Sequence, residues 1–166
     1  MGGVFSQMNT TTLLPKVIDP KCKEWPLFLE MNYIYMQESW PGKWEHIDQS
    51  TFINTYSLKL LKRIEEGGRG LFIYYKDKDP VGFSNVYLSN KQTILNIAEF
   101  YIVSKWRRNK FGNEMLNHVI SWGKEQGAEE VKIEVDKDLE LANCFWSSFG
   151  YRLDPSGSRN VYRSRL

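Results

Sequence analysis

Cysteine and histidine are scarce in this 166-residue chain: two of each, Cys22 and Cys144, His46 and His118. Two cysteines give no disulfide framework, and the four residues lack the spacing of a zinc site, so no resident metal is expected. An excess of one charge is also missing, because 22 Lys and Arg face 20 Asp and Glu, a net +2. That balance is too small for a general nucleic-acid binder, whose affinity rests on many phosphate contacts. No apolar run reaches the length of a membrane span, and the N-terminus lacks a cationic start followed by an apolar stretch. The expected setting is the reducing cytoplasm, with neither membrane nor nucleic acid as partner. "MGGVFS" does fit the myristoylation pattern through Gly2 and Ser6. The plainer reading of that stretch is a disordered leader over about residues 1–10, with a second possible start at Met8.

With 42% hydrophobic and 25% charged residues, the chain suits one domain, 1–166, large enough for a core and a pocket. There is no repeat, low-complexity tract or linker to divide it. "TLLPKVID" reads as a short strand, and residues 20–39 as a helix that Pro41 and Gly42 break. Ser50 or Thr51 is expected to cap a second helix with Ile53, Tyr56, Leu60, Leu61 and Ile64 on one face, stopped by Gly67 and Gly68. "GLFIYYKDKDPVGFSNVYL" reads as a hairpin with an Asp and Pro turn, and residues 93–103, "TILNIAEFYIV", as a long central strand. An amphipathic helix starts near Lys110, the strand "EEVKIEV" follows, then a short helix ended by Gly150, then a last strand in "NVYRSRL".

At the start of the third long helix, "KWRRNKFGNEML" (105–116) sets Lys105, Arg107, Arg108 and Lys110 together. Free amides and the macrodipole already make a helix start positive, so acidic residues are usual there. Four cations at that place are unfavourable unless an anion joins them, and a phosphate held by amides and guanidinium groups is the natural one. A solvated basic turn is the bland alternative.

Together, "EFYIVSKWRRNKFGNEML" and "KIEVDKDLELANCFWSSFGY" resemble the GNAT superfamily of acyl-CoA-dependent N-acyltransferases. The family's pyrophosphate loop runs Q/R, x, x, G, x, G/A. Arg107 takes the first place, Gly112 the last, and Lys110 stands where the first glycine is expected. In the late motif Val135, Ala142, Gly150 and Tyr151 fall at the right intervals, while Leu139 occupies the Asn place and Trp146 the Tyr place. The match is good over about residues 69–153; earlier residues agree only in element order. The resemblance implies an α/β fold with a central mixed sheet of roughly six to seven strands and about four flanking helices. It also implies acetyl-CoA as acyl donor, no metal, and a small-molecule or peptide amine as acceptor; a homodimer is compatible with it.

Carried over residue by residue, the resemblance places the pyrophosphate against 107–113, that is Arg107, Arg108, Asn109, Lys110, Phe111, Gly112 and Asn113. Gly112 would admit the backbone to the phosphate, and Lys110 would keep helical angles and offer its N–H. The family's central strand splays from its neighbour, which assigns the thioester and pantetheine to the backbones of Phe100 and Ile102. Trp146 would pack beside the thioester, which a core residue does equally.

Glu99 is the base candidate. By simple alternation it shares a face with Leu95, Ile97, Tyr101 and Val103, with Asn96 on the other face. Burial would raise its pKa toward a base's range, whereas an ion pair with a neighbouring cation would make it structural. Since an indole cannot replace the usual phenolic acid, Tyr101 is assigned that part, with Tyr151 as the other phenol. The segment "YIYMQESWPGKWEHID" should face the acceptor, with Trp40 and Trp44 available for stacking and Glu38, Glu45 and Asp48 for attracting a cation. Polyamine, aminoglycoside, amino acid and protein amine are not distinguished. A degenerate acyl-CoA-binding module and an interaction domain with an acidic partner stand beside the acetyltransferase.

Overall fold

The computed structural model describes residues 13–166. The leader expected over residues 1–10, with its Gly2 pattern, lies outside the described residues. The chain begins with β1 (Leu14–Val17), α1 (Trp25–Ser39), the short α2 (Pro41–Trp44) and α3 (Gln49–Glu65). The hairpin β2 (Arg69–Lys76) and β3 (Asp79–Ser89) leads into β4 (Ile94–Ile102), α4 (Phe111–Glu125) and β5 (Glu130–Asp136). After α5 (Glu140–Ser147), a second hairpin of β6 (Arg152–Ser156) and β7 (Arg159–Arg165) completes the fold. These strands join one seven-stranded mixed sheet, in the order β1-β2-β3-β4-β5-β7-β6.

The sheet separates two cores. On one face Met115, Leu116 and Val119 of α4, with Trp146 of α5, cover Val86, Leu95, Ile97, Val131 and Ile133. On the other, Phe28, Leu29 and Met31 of α1 and Leu60 of α3 cover Ile73, Phe83 and Tyr101. Each such side chain withdrawn from water contributes about 1.5–3 kcal/mol, so both helix pairs are pinned to the sheet. The pair β4 and β5 is parallel, joined through α4, while the other neighbouring pairs are antiparallel.

Three local expectations change. Asp48, not Ser50 or Thr51, caps α3, its carboxylate accepting from Thr51 N at 3.0 Å and Thr51 Oγ1 at 2.7 Å. A carboxylate just ahead of the helix reaches the free N–H and suits the positive helix end. Pro41 opens α2 rather than only ending α1, since its fixed φ suits the first helical position. The last strand is a hairpin: β6, "RLDPS", is a largely exposed edge with no apolar alternation to announce it.

Beneath α4 runs a polar chain in the core: His118 Nδ1 lies 2.8 Å from the Tyr74 hydroxyl, which lies 3.0 Å from Ser84 Oγ. A neutral ring accepting from Tyr74 satisfies all three groups, and burial lowers the pKa of His118 from its ordinary 6.5. The unfolded chain therefore takes up this proton first as pH falls. Stability from His118 is complete above about pH 6.5 and is lost as pH drops through the lower folded-state pKa. Thermal melts from pH 7.5 to 5 should show a steeper fall in Tm for the wild type than for His118→Gln, which keeps an acceptor but does not titrate. Parallel curves would contradict this.

Candidate active site

One extra residue organises this region. On β3, Asn85 and Val86 are consecutive, but their partners on β4 are Glu99 and Ile97, so Ala98 bulges out of the ladder. Simple alternation therefore fails at Ala98. Leu95 and Ile97 face α4, whereas Glu99 and Tyr101 face α1 and α3, and Phe100 and Ile102 turn to the α4 and α5 side. The face expected for Glu99 is corrected accordingly: it keeps Tyr101 and Val103 and loses Leu95 and Ile97. Asn96, expected opposite Glu99, lies on the same face as it. Its amide is used internally, donating to Ser89 Oγ at 2.7 Å and Ile94 O at 3.2 Å.

Beyond the bulge the sheet parts. β4 pairs with β5 only from Ile94↔Glu130 to Ile97↔Ile133, while β4 runs on along β3 and β5 along β7. The result is a wedge at the carboxyl ends of two parallel strands, the common place for ligands in such sheets. Val103 N donates to Val81 O at 2.8 Å, so by alternation Tyr101 also directs its amide and carbonyl at β3. Phe100 and Ile102 thus point their backbone groups into the wedge. The Ile102 carbonyl accepts from Arg107 Nε at 2.9 Å.

The wedge leads to the start of α4. Lys110 is its N-cap at φ 62° and offers no side-chain cap, and the N–H groups of residues 111–113 find no acceptor among the described residues. The helical angles expected for Lys110 are thus corrected to left-handed ones, which explains why the related pattern has glycine there. Arg108 is also left-handed, at φ 65°. Asn109 braces the loop by donating to Trp106 O at 3.1 Å and Arg107 O at 3.2 Å. Phe111 is buried against Trp106. At Gly112 a Cβ would meet Phe145 Cε2 at 2.8 Å and Ile102 Cδ1 at 3.2 Å, so the glycine serves close packing of α4 on α5 and β4. Among the described residues, Arg107 alone of the loop's cations is in an ion pair, its Nη2 2.6 Å from Glu38 Oε2.

On the opposite face Glu99 is 7% exposed and holds two donors on Oε1, Tyr56 Oη at 2.7 Å and Asn85 Nδ2 at 2.8 Å. Arg69 Nη1 in turn donates to Asn85 Oδ1 at 2.6 Å. Oε2 of Glu99 is buried without a partner among the described residues. Burial raises the Glu99 pKa, while the bonds from Tyr56 and Asn85 and the charges of Arg63 and Arg69 oppose it; burial prevails. The structural ion pair considered for Glu99 is not formed among the described residues. Tyr101 donates to Glu38 Oε1 at 3.0 Å, and burial, then Glu38, pushes its pKa up to about 12. Tyr35 packs on both Tyr101 and Trp40, whose Nε1 donates across the wedge to Asp136 Oδ2 at 2.8 Å. Trp44 instead packs on Phe52, and Asp48 is used as a cap. Tyr56, Asn85 and Arg69 carried no sequence signal, because their meeting with Glu99 depends on three separate elements.

The Acetyltransferase (GNAT) family profile matches residues 29–151, most of the chain, and spans the bulge, the wedge and the cationic loop. The chain belongs to the GNAT acetyltransferase family. Its fold resembles PaiA N-acetyltransferase from Thermoplasma acidophilum, solved with coenzyme A, at TM-score 0.74 and 15% identity over 92% of this chain and 99% of that one. An acetyltransferase from Thermus thermophilus gives TM-score 0.69 and 16% identity over 93% and 97%. RimL, a ribosomal L7/L12 alpha-N-protein acetyltransferase solved with coenzyme A, gives 0.69 and 14% over 95% and 96%. No curated protein sequence matches significantly.

Two departures from the GNAT pattern sit at α5. Trp146, in the Tyr place, is 4% exposed and packs on Phe100, Phe145 and Phe149. Leu139, in the Asn place, is the N-cap of α5, and Asn143 one turn later holds this end, donating to Asp136 O at 2.9 Å and Leu139 O at 2.8 Å. Tyr151 lies beside Phe149 at the far end of α5 from Glu99's face.

Lys110→Gly should remove left-handed strain and stabilise the fold by roughly 1 kcal/mol. Gly112→Ala, pressing on Phe145, should cost about 1–3 kcal/mol. Chemical denaturation of both variants checks the loop; the opposite signs would contradict it.

Proposed function

We propose that this GNAT protein transfers the acetyl group of acetyl-CoA to a primary amine of a small-molecule or peptide acceptor, by direct attack of the amine on the thioester. The observation that carries the reading is the wedge between β4 and β5, into which the backbone groups of Phe100 and Ile102 turn, leading to the start of α4, whose N-cap offers no side-chain bond. A thioester with an amide-bearing arm and a pyrophosphate fits that sequence of donors: strand amides first, then the N–H groups of 111–113, beside Arg108 and Lys110, which form no ion pair among the described residues. The coenzyme A bound in the PaiA and RimL structures supports the same donor. Cys22 and Cys144 are free thiols, which suits a cytoplasmic setting.

Within this reading each group has one task. A backbone N–H of the opened β4 edge, at Phe100 or Ile102, stabilises the oxyanion that develops on the thioester oxygen. Glu99 takes the ammonium proton, directly or through a water, so that the amine lone pair is free; its raised pKa and unpartnered Oε2 suit a base. As the C–N bond forms and the C–S bond breaks, the nitrogen gives up its second proton and the leaving thiolate takes one up, so that an amide and the CoA thiol result. Tyr101 is the phenol we assign to protonate the thiolate, by turning its hydroxyl away from Glu38. Trp146 closes the wall behind Phe100 and carries no proton. A binding module without turnover is the second reading, favoured by that same Trp146.

Acetyl-CoA should raise Tm, and Arg108→Ala with Lys110→Ala should weaken CoA at least tenfold while leaving pantetheine binding nearly unchanged. Glu99→Gln should lower thiol release by about 10²-fold or more with acetyl-CoA affinity retained, and wild-type turnover should rise with pH. An unchanged rate in Glu99→Gln would overturn the base. Tight acetyl-CoA binding with no thiol release across a broad amine panel would favour the binding module.

A further inference from the structure

Arg107 occupies a place that its position in the loop does not explain. As the first residue of the pyrophosphate loop pattern it should face the α4 amides. Instead its guanidinium donates Nε to Ile102 O, pairs through Nη2 with Glu38 of α1, and lies 5.5 Å over the ring of Tyr101. A carboxylate and an aromatic face meeting one cation make a recognition site for positive charge. That site lies on the same face of β4 as Glu99, two residues or about 7 Å further along the strand. The chain's own guanidinium shows what chemistry it accepts.

We propose that Glu38 and the Tyr101 ring bind a second cationic group on the acceptor, and that Arg107 fills this site until the donor's pyrophosphate draws it away. The inference rests on the acetyltransferase reading and names the acceptor class within it: a diamine, with one nitrogen at Glu99 and the other at Glu38. The Arg107 and Glu38 side chains are 41% and 37% exposed, so the pair is screened by water and holds weakly enough to exchange. A pyrophosphate backed by the free N–H groups of 111–113 is the stronger anion. Once Arg107 swings to it, Ile102 O is released to the wedge and Glu38 to the acceptor. Donor and acceptor sites are thereby coupled through one side chain.

Calorimetric titration separates the possibilities. CoA binding is measured first, then 1,4-diaminobutane and 1-aminobutane are titrated with and without saturating CoA. In the wild type CoA should tighten 1,4-diaminobutane at least tenfold and 1-aminobutane hardly at all. Glu38→Gln should abolish that gain while CoA binds at least as tightly as to the wild type, since Arg107 is no longer held, and Arg107→Gln should give the tighter diamine affinity even without CoA. In turnover, Glu38→Gln should raise KM for 1,4-diaminobutane about tenfold and leave the 1-aminobutane KM little changed. CoA binding with no change in diamine affinity, or equal losses for both amines in Glu38→Gln, would overturn the proposal alone. Failure to bind CoA would overturn the acetyltransferase reading and this proposal with it.

Discussion

The extra residue at Ala98 is the constraint on which the rest of the site depends. A bulge bends a strand and increases its twist, and here it coincides with the last rung between β4 and β5. Past it, β4 follows β3 and β5 follows β7, and an edge that an uninterrupted sheet would bury is left unpaired. The same residue turns Glu99 and Tyr101 toward α1 and α3 while Phe100 and Ile102 face α5. The wedge-facing backbone and the buried carboxylate thus come from adjacent residues of one strand. Without the bulge, Glu99 would face α4 and the pairing with β5 would have no local reason to stop.

At Glu99 the competing influences can be ordered. Two hydrogen bonds and two nearby guanidinium groups favour the carboxylate, yet burial outweighs them. Tyr56 and Asn85 fix one oxygen and leave the other unpartnered among the described residues, so orientation and raised basicity come from the same surroundings. At the start of α4 the ordering runs the other way. The chain tolerates left-handed Arg108 and Lys110, each costing on the order of 1 kcal/mol, to turn the β4–α4 loop and present the first N–H groups of the helix unblocked.

Much of this was legible in the sequence. The β-rich runs of β2 and β3, the alternation of β5, the apolar face of α4 and the crowd of cations at its start each report a local pattern, and local patterns survive folding. Ala98 could not be found that way, because alternation counts residues and one unpaired residue shifts every later face. The left-handed Lys110 was hidden for the opposite reason, since lysine rarely takes that conformation and its composition signals a helix. The partners of Glu99 were out of reach as well: Tyr56 lies 43 residues away and Asn85 lies 14 away, on different elements. The Glu38 and Arg107 pair joins residues 69 apart, so the link between α1 and the β4–α4 loop has no sequence signature.

The central claim is that the opened edge of β4 and the first turn of α4 together hold one elongated ligand. Residue-resolved amide hydrogen exchange with and without CoA tests it most directly. Exchange at Phe100, Ile102 and residues 111–113 should slow at least tenfold when CoA is added, while the Tyr101 amide, already bonded to β3, changes little. Protection spread evenly over the sheet, or gathered away from the wedge while those five amides exchange as before, would contradict the account.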